Sequence, residues 1–373
     1  GFQSFSSILE KNLSIKKYPN VMPEDLSTIA YTSGTTGHPK GAMQSHEAVI
    51  LNGSMTSQLH MRGPDDIVVS ALPCPHVYAN VLMTGMMMFG TKLIQHKNFE
   101  VDTIFESIND TKATIFDGVP TMYMFMLNSP NLKNADLSSL NRCYVGGQTM
   151  PVATMTAVER EFKVPLIELW GMTEIAGLGA TFPLFGYYKH GSIGCAIPYC
   201  DLKIVDVDDC SKQMNTGDVG ELMVKGPITM MGYFGDDKKT QETLEPDGWL
   251  HSGDLAKMDQ DGCVYIVDRK KDMIISGGLN VFPVDIEEIV GKHPDVIDVT
   301  VIGVPHEKWG ETCLALIIPK DGVEIECNEI KNWSNENLAK HQRLDKVEIR
   351  DEFPRNALGK VLKRVLREPY WSQ

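Results

Sequence analysis

The feature that most constrains the fold is an alternation of short apolar runs and longer amphipathic segments between residues 27 and 171. Apolar runs such as 27–33 and 67–73 have the length of buried strands, whereas the segment 47–60 between them has the length and pattern of a helix. Strand–helix alternation of this length produces β-α-β units, so we predict an α/β fold with a mostly parallel sheet. The further predicted strands are 91–95, 113–119, 142–147 and 165–171, and the further predicted helices are 77–89, 101–110, 120–128 and 151–162.

The character of the sequence changes twice in its second half. Residues 190–269 are rich in short, glycine-punctuated strand patterns, which predict a β subdomain. From residue 270 helix and strand patterns mix again over about a hundred residues, enough for a separate α+β domain. We therefore predict a large N-terminal domain, 1–269, with a parallel sheet and a β subdomain, and a smaller C-terminal domain, 270–373.

Composition limits the classes of partner. The net charge is −14, which disfavours a nucleic-acid backbone because the protein would repel a polyanion. The eight cysteines form no Cys-x-x-Cys pair and have no spacing typical of zinc, so we interpret them as reduced thiols. No apolar stretch approaches the roughly 20 residues of a membrane helix. We expect a soluble, cytoplasmic protein without a transmembrane segment or a nucleic-acid partner, and a homodimer is one candidate assembly.

A loop rich in glycine and hydroxyl residues, YTSGTTGHPKG at 31–41, is typical of a phosphate site. Glycines let backbone N–H groups approach a ligand, hydroxyls add donors, and Lys40 adds a positive charge. The spelling differs from the common P-loop, because Gly41 follows the lysine where that motif has Ser or Thr. The stretch predicts a phosphate loop of another kind, lying between a strand and a helix.

Four further stretches carry chemically useful residues: LWGMTEIAG (169–177), GWLHSGDLAK (248–257), DRKKDMIISGGLNVFPVDIE (268–287) and RNALGKVLKR (355–364). Trp170 offers a flat face for a base, Glu174 a hard oxygen for Mg²⁺, and Asp254 an acceptor for ribose hydroxyls. Each of these stretches, like the glycine-rich loop, also has a plain structural interpretation: an ordinary turn for the loop, a core tryptophan, a turn aspartate or a solvated lysine run. Singly, none of them establishes a function.

Together and in this order, the five motifs resemble the adenylate-forming superfamily: acyl-CoA synthetases, peptide-synthetase adenylation domains and firefly-type luciferases. The resemblance covers about residues 20–368, and the chain looks most like the medium- and long-chain fatty-acid–CoA ligases. Members carry a substantial segment before the phosphate loop, whereas only some thirty residues precede it here. We therefore expect a fragment, a processed product or a short form of the family.

The resemblance implies a two-step reaction in which a carboxylate attacks the α-phosphate of MgATP and a thiol then displaces AMP. ATP, Mg²⁺ and CoA are the implied cofactors and co-substrates, and Glu174 with Thr32 would hold the metal, Thr35 being the rival to Thr32. Trp170 stands where the family usually has Tyr. The ATP- and AMP-binding residues implied by the resemblance are Thr32, Ser33, Gly34, Thr35, Thr36, Gly37, Lys40, Gly147, Gln148, Trp170, Gly171, Met172, Thr173, Asp254, Arg269 and Lys360.

The C-terminal domain is expected to act as a mobile lid that carries the catalytic lysine. By resemblance this lysine is Lys360, which would bridge the carboxylate and the α-phosphate, and the pivot of the lid is Lys271. Rotation about the pivot would then bring a second set of residues to the CoA channel. Those residues are Ser276, Gly277 and Gly278.

The segment PCPHVYAN (73–80) resembles the one in which acyl- and aryl-CoA synthetases carry a histidine beside the acid, so the acid is expected to lie beside His76, with Glu174 and Lys360 as the other catalytic residues. Amino-acid-activating members instead have an aspartate nearby to pair with the amino group, and none stands here, so the resemblance favours a small-molecule carboxylate other than an amino acid; a core role for His76 is the alternative. The expected acyl-pocket residues are His76, Val77, Tyr78 and Val119.

Methionines around 83–88 and 122–126 suggest an adaptable apolar tunnel, although most of them are expected to be core residues. The segments VPTMY (119–123) and GGQTMP (146–151) look more like those of fatty-acyl ligases than those of aryl ligases, so this resemblance favours a medium- or long-chain fatty acid as the substrate. Three alternatives stay open: an aryl-acid ligase, transfer to a carrier protein or another acceptor, and a nucleotide-binding chain without turnover.

Overall fold

The computed structural model describes residues 18–32, 39–320, 322–323, 325–356 and 359–371. Its strands are β1 (Leu26–Thr32), β2 (Lys40–Ser45), β3 (Ile67–Ser70), β4 (Lys92–Gln95), β5 (Ile115–Gly118), β6 (Arg142–Gly146), β7 (Leu166–Met172), β8 (Gly177–Thr181), β9 (Cys195–Ala196), β10 (Asp201–Val205), β11 (Gly220–Lys225), β12 (Gly232–Tyr233), β13 (Leu250–Met258), β14 (Val264–Arg269), β15 (Ile274–Ser276), β16 (Leu279–Val281), β17 (Val296–His306), β18 (Gly310–Pro319) and β19 (Leu344–Ile349). Its α-helices are α1 (His46–Leu59), α2 (Val77–Phe89), α3 (Val101–Thr111), α4 (Pro120–Asn128), α5 (Val152–Phe162), α6 (Asp237–Thr243), α7 (Pro283–Val290), α8 (Cys327–Asn337) and α9 (Lys363–Trp371).

The largest sheet has seven strands in the order β4-β3-β5-β6-β7-β8-β9. The strands from β4 to β7 pair in parallel, and β8 and β9 extend the sheet with antiparallel pairs. All residues of β5 and β6 are buried, as expected for a parallel sheet with both faces covered. The predicted α/β class with a mostly parallel sheet is confirmed.

The first predicted strand does not belong to this sheet, and that part of the prediction is wrong. β1 pairs antiparallel with β2, and β12 adds to β2 to make a separate three-stranded sheet. The glycine-rich loop therefore connects two strands and does not lead directly into a helix. Helix α1 begins only at His46, where the Oγ of the N-cap Ser45 accepts the N–H of Ala48 at 3.1 Å.

Two further sheets follow. Strands β10, β11, β13 and β14 form a four-stranded antiparallel sheet, and β15–β19 form a five-stranded sheet in which β19 is parallel to β18. The buried apolar side chains of residues 42–264 form one cluster, and those of residues 274–353 form two others. Separate clusters are compatible with two domains, although a boundary at residue 269/270 stays a prediction.

A buried carboxyl group in the large sheet should make stability depend on pH. Glu168 in β7 accepts the N–H of Gly191 at 3.0 Å, and burial raises the pKa of Glu168 to about 7. Because this pKa is raised above its unfolded value, the stabilising contribution is present at low pH and is lost as pH rises toward 7. From pH 4.5 to pH 8, the unfolding free energy of Glu168→Gln should therefore rise by about 3 kcal/mol relative to that of the native chain.

Urea unfolding at several pH values measures this difference. Exposed Glu329 is a matched control, because Glu329→Gln removes a carboxyl group that lies in solvent. A stability difference for Glu168→Gln that is the same at pH 4.5 and pH 8 would contradict the prediction.

Candidate functional site

Three of the predicted nucleotide residues lie in one hydrogen-bonded cluster. The indole Nε1 of buried Trp170 donates to Oδ2 of Asp254 at 2.8 Å. The other oxygen, Oδ1, lies 2.6 Å from Nε of Arg269, which the pairing of β13 with β14 places opposite Asp254. Trp170 and Arg269 therefore orient both oxygens of a carboxylate that is only 4% exposed.

Glu174 lies in a short 3₁₀ turn, Thr173–Ile175, directly after β7. The turn is fixed by Nε2 of Gln44, which donates to the carbonyl of Thr173 at 2.8 Å. The hydroxyl of Tyr233 donates to Oε1 of Glu174 at 2.7 Å, and burial together with the charge of Glu174 raises the pKa of Tyr233 above its ordinary value. Tyr233 is therefore a neutral donor to this carboxylate, a role that sequence analysis missed.

The glycine-rich loop begins and ends beside this turn. Thr32 and Lys40 face each other at the end of the β1–β2 ladder next to the connecting loop, and both strands pack against the 3₁₀ turn. The ammonium of Lys40 lies 5.6 Å from the ring centre of Tyr233. The predicted phosphate-binding residues Ser33, Gly34, Thr35, Thr36 and Gly37 lie outside the described residues.

The predicted Mg²⁺ site offers donor groups that can be compared with those that Mg²⁺ prefers. Glu174 is 9% exposed and supplies a hard carboxylate oxygen, and Thr32 supplies a hydroxyl at the hairpin beside it. Oxygen donors of this kind fit Mg²⁺, which prefers one or two carboxylates and otherwise binds water and phosphate oxygens. The residues present therefore fit the predicted ion.

Lys360 lies near the carboxylate cluster although it is about a hundred residues away in sequence. Its N–H donates to Oδ1 of Asn356 at 3.0 Å in the loop that precedes α9. Burial, which is the largest cause, and the positive charges of Arg269 and Lys271 together lower the pKa of Lys360 to about 8, while the charge of Asp254 opposes them. The structure thus brings Lys360 within electrostatic reach of the Asp254–Arg269 pair.

The glycine before this lysine is required by close packing. Gly359 has φ +78°, and a Cβ there would lie 2.9 Å from Oγ1 of Thr121, at the N-terminal end of α4. A left-handed conformation this close to another side chain favours glycine. The chain at Gly359, next to Lys360, therefore packs against helix α4.

The predicted pivot and CoA-channel residues lie in adjacent parts of the chain. Burial lowers the pKa of Lys271, whose carbonyl accepts a hydrogen bond from Arg367 at 3.1 Å. Ser276 ends β15, and Gly277 and Gly278 form the two-residue turn to β16 with φ of +59° and +79°. Positive φ at both turn positions is typical of a type I′ hairpin and explains both glycines without a ligand.

A cavity between α2 and the large sheet contains the predicted acid-binding histidine. His76 is the N-cap of α2, and its Nδ1 accepts the N–H of Tyr78 at 3.2 Å. Burial lowers the pKa of His76, so the ring is neutral at pH 7 and carries its proton on Nε2. The cavity is lined by Thr56, Arg62, His76, Val77, Tyr78, Val81, Leu82, Gly147, Leu169, Gly171, Gly177 and Leu178.

Some residues of the predicted acyl pocket and some residues of the nucleotide motifs line this same cavity. Gly147, with φ +87° just after β6, and Gly171 in β7 both border it, and half-buried Gln148 and Met172 are their neighbours in sequence. Val119 is buried at the N-cap of α4 and lies outside the lining.

The expected methionine tunnel is not part of the lining either. Met122 and Met126 are buried in the core, in agreement with the core alternative, whereas the side chains of Met87 and Met124 are exposed.

A buried ion pair that sequence analysis missed forms the polar wall of the cavity. Arg62 donates from both terminal nitrogens to Asp117, at 3.0 and 2.9 Å, and Tyr78 donates to the same carboxylate at 3.1 Å. The guanidinium of Arg62 lies 4.8 Å from the ring centre of Tyr144. Although burial alone would lower it, the charge of Asp117 raises the pKa of Arg62, so the cation is retained.

These features match what the resemblance to adenylate-forming enzymes predicts: the Trp170–Asp254–Arg269 cluster, Lys360 from the C-terminal part of the chain and a cavity that contains His76. The chain belongs to the AMP-binding enzyme family, whose model matches residues 4–234, and the model of the AMP-binding enzyme C-terminal domain matches residues 285–360. The family that the motifs resemble is therefore confirmed.

Similar proteins include ligases for different acids. An indoleacetate–CoA ligase of Aromatoleum aromaticum is 34% identical over 371 residues, which are 99% of this chain and 72% of that protein. A long-chain-fatty-acid–CoA ligase of Bacillus subtilis is 33% identical and covers 97% of this chain, which spans 65% of that protein. The ATP-bound crystal structure of MatB from Rhodopseudomonas palustris has a TM-score of 0.88 at 33% identity, covering 94% of this chain and 69% of that one.

Among the described residues, no helix is both long enough and apolar enough to cross a bilayer.

Proposed function

We propose that this chain activates a carboxylic acid with MgATP to an acyl-adenylate and transfers the acyl group to CoA, giving acyl-CoA, AMP and pyrophosphate. The observation that carries the proposal is the convergence of Lys360 on the Trp170–Asp254–Arg269 cluster. Gly147 and Gly171, which belong to two of the predicted nucleotide motifs, line the cavity that contains His76. A bound acid and a bound nucleotide would therefore meet at one place, as acyl transfer to phosphorus requires.

The proposed roles follow from the chemistry of each side chain. Asp254, held by Trp170 and Arg269, accepts the ribose hydroxyls with its remaining lone pairs. Arg269 and Lys360 place positive charge beside the α-phosphate, where negative charge develops when the carboxylate attacks. Neutral His76 donates from Nε2 to the acid.

Glu174 and Thr32 are the proposed ligands of Mg²⁺, which would neutralise phosphate charge when bound. The hydroxyl of Tyr233 holds one oxygen of Glu174 in place, and the ammonium of Lys40 lies 5.6 Å from the centre of the same ring. Together with residues 33–37 these groups are proposed to bind the β- and γ-phosphates.

For the second step, Lys271 is the proposed pivot and the turn Ser276–Gly278 the proposed border of the CoA channel. The left-handed φ values at these two turn positions favour glycine. With Gly277 and Gly278 there, the turn would present no side chains to the channel at these positions. CoA as the acceptor is supported by relatives named as CoA ligases.

The proposed acid is a medium- or long-chain fatty acid, supported by a relative that is named a long-chain-fatty-acid–CoA ligase. Aliphatic side chains from α2, β7 and β8 line much of the cavity, which suits an apolar acyl group. A second candidate, an aryl or aryl-alkyl acid, is favoured by the polar wall of Arg62 and Tyr78 and by the methionines' absence from the lining.

One assay separates these proposals. AMP release and thioester formation would be measured with MgATP and a panel of short to long fatty acids, aryl acids and amino acids, each with and without CoA. We expect AMP and acyl-CoA in equal amounts, only when an acid of the preferred class and CoA are both present. AMP release with no thioester would exclude CoA as the acceptor, and nucleotide binding without AMP release would exclude turnover by this chain.

A further inference from the structure

Three side chains from separate segments meet on the outer side of the four-stranded sheet. Cys210 lies in the loop after β10, Glu245 in the loop after α6, and His251 in β13. Their ligand atoms all lie within 4.8 Å of one another, with His251 Nε2 3.0 Å and Cys210 Sγ 3.9 Å from Oε1 of Glu245. We propose that Cys210, Glu245 and His251 bind a divalent transition-metal ion of the zinc type, in a site independent of the proposed catalysis.

The donor set suits zinc in both chemistry and spacing. Thiolate, imidazole and carboxylate are its usual ligands at about 2.0–2.3 Å, which separates ligand atoms by roughly 3.3–3.8 Å in a tetrahedron. The two separations from Glu245, 3.0 and 3.9 Å, require shifts of only a few tenths of an ångström, and the third pair, Cys210 with His251, lies within 4.8 Å and requires a shift of at most about 1 Å. The Cys210 thiol releases its proton to solvent on binding, and thiolate and carboxylate together balance the double positive charge. A water molecule completes the fourth position.

A second layer of contacts holds the histidine. Nδ1 of His251 lies 3.2 Å from Oε2 of Glu221, a residue only 3% exposed, so the ring presents Nε2 to Glu245 and Cys210. A carboxylate on the non-ligating nitrogen is the usual outer partner of a metal-bound histidine. This buried partner distinguishes the cluster from a group of acidic side chains on the surface.

The same outer layer joins the cluster to the edge of the nucleotide site. Nζ of Lys270 donates to Glu221 at 2.9 Å and to the carbonyl of Val207 at 2.9 Å, in the loop that carries Cys210. His251 also precedes Asp254 by three residues in the same strand. A bound ion would therefore fix the Cys210 loop to β13 and should stabilise the fold.

Cysteine spacing did not predict this site, because its ligands are not arranged as a local motif. Cys210 and Glu245 are 35 residues apart, and His251 follows Glu245 by 6 residues. The pairing of β10 with β11 and of β11 with β13 brings the Cys210 segment to His251, and the Leu244–Leu250 bridge brings Glu245 to the same place.

The test is metal titration of the full chain after removal of metal with a chelator. We expect one Zn²⁺ to bind per chain, and Co²⁺ to give a thiolate charge-transfer band with the absorption of a tetrahedral site. Cys210→Ser should remove that band, and Cys210→Ser and His251→Gln should each weaken zinc binding about 100-fold or more. Glu221→Gln should weaken it about 10–100-fold while one ion still binds. Zinc should raise the Tm of the native chain and leave that of Cys210→Ser unchanged.

Cys327→Ser and His341→Gln are the matched controls, because they remove a thiol and an imidazole far from the cluster in sequence. Both should bind zinc as the native chain does. Circular dichroism and ATP binding establish that each variant is folded, and Glu245→Gln replaces any variant that is not. Absence of binding at one equivalent, or binding unaffected by changes at Cys210, His251 and Glu245, would overturn the proposal.

Discussion

Replacing Lys360 with alanine is expected to lower the rate of acyl-adenylate formation by about 10²–10³-fold, the usual effect of removing one charge-stabilising group. Lys360 lies half-buried near Arg269 and Asp254, and its proposed role is to supply the positive charge that a pentavalent phosphorus needs. The rate is best measured by single-turnover formation of pyrophosphate at saturating ATP. Thioester formation from preformed acyl-adenylate and CoA should change far less, because the proposed role is confined to the first step.

Two variants sharpen this test. Lys340→Ala removes an exposed lysine from the same part of the chain and should leave the rate unchanged. Burial and neighbouring cations lower the pKa of Lys360 to about 8, so kcat/KM for ATP in the first step should fall as pH rises above 8. Lys360→Arg should form the adenylate more slowly than the native chain. Its kcat/KM should not fall above pH 8, because a guanidinium stays charged. A Lys360→Ala rate within threefold of the native rate would exclude the proposed role.

The sequence predicted elements best where the apolar pattern was long and its end signals were clear. Helices α2 and α4 have the predicted bounds, 77–89 and 120–128, and Gly90 and Pro120 mark an end and a start. Strand β2 was missed because only Ala42 and Met43 in KGAMQS are apolar. Because strand β2 was missed, a helix was predicted to follow the phosphate loop, whereas in the structure a strand follows it.

The candidate site was predictable to the extent that it depends on short motifs. Asp254, Arg269 and Trp170 were selected singly, and the pairing of β13 with β14 explains why two of them meet. Contacts between distant segments left no such signal. Tyr233 reaches Glu174 across 59 residues, and Arg62 reaches Asp117 across 55, and neither partner belongs to a motif that suggests the other.

The Arg62–Asp117 pair provides the largest expected effect on stability. Asp117 is fully buried and accepts hydrogen bonds from Arg62 and Tyr78, so Asp117→Ala leaves a buried guanidinium without its counter-charge. Breaking such a pair costs about 3–5 kcal/mol of unfolding free energy. Denaturant unfolding of the native chain and the variant measures the loss.

The cost should come from the unpaired charge and not from the absence of an ion pair. The double variant Arg62→Met/Asp117→Leu removes both charges at similar volume, and it should recover most of the stability lost in Asp117→Ala, because apolar replacement of a buried pair is often neutral. Asp136→Ala breaks the exposed pair with Lys112 and should have little effect, since solvent screens that contact. A double variant as unstable as Asp117→Ala would mean that the hydrogen bonds to Tyr78 and the fit against Tyr144 account for the stability of this wall. In that case the Arg62–Asp117 ion pair would not be the source of this stability.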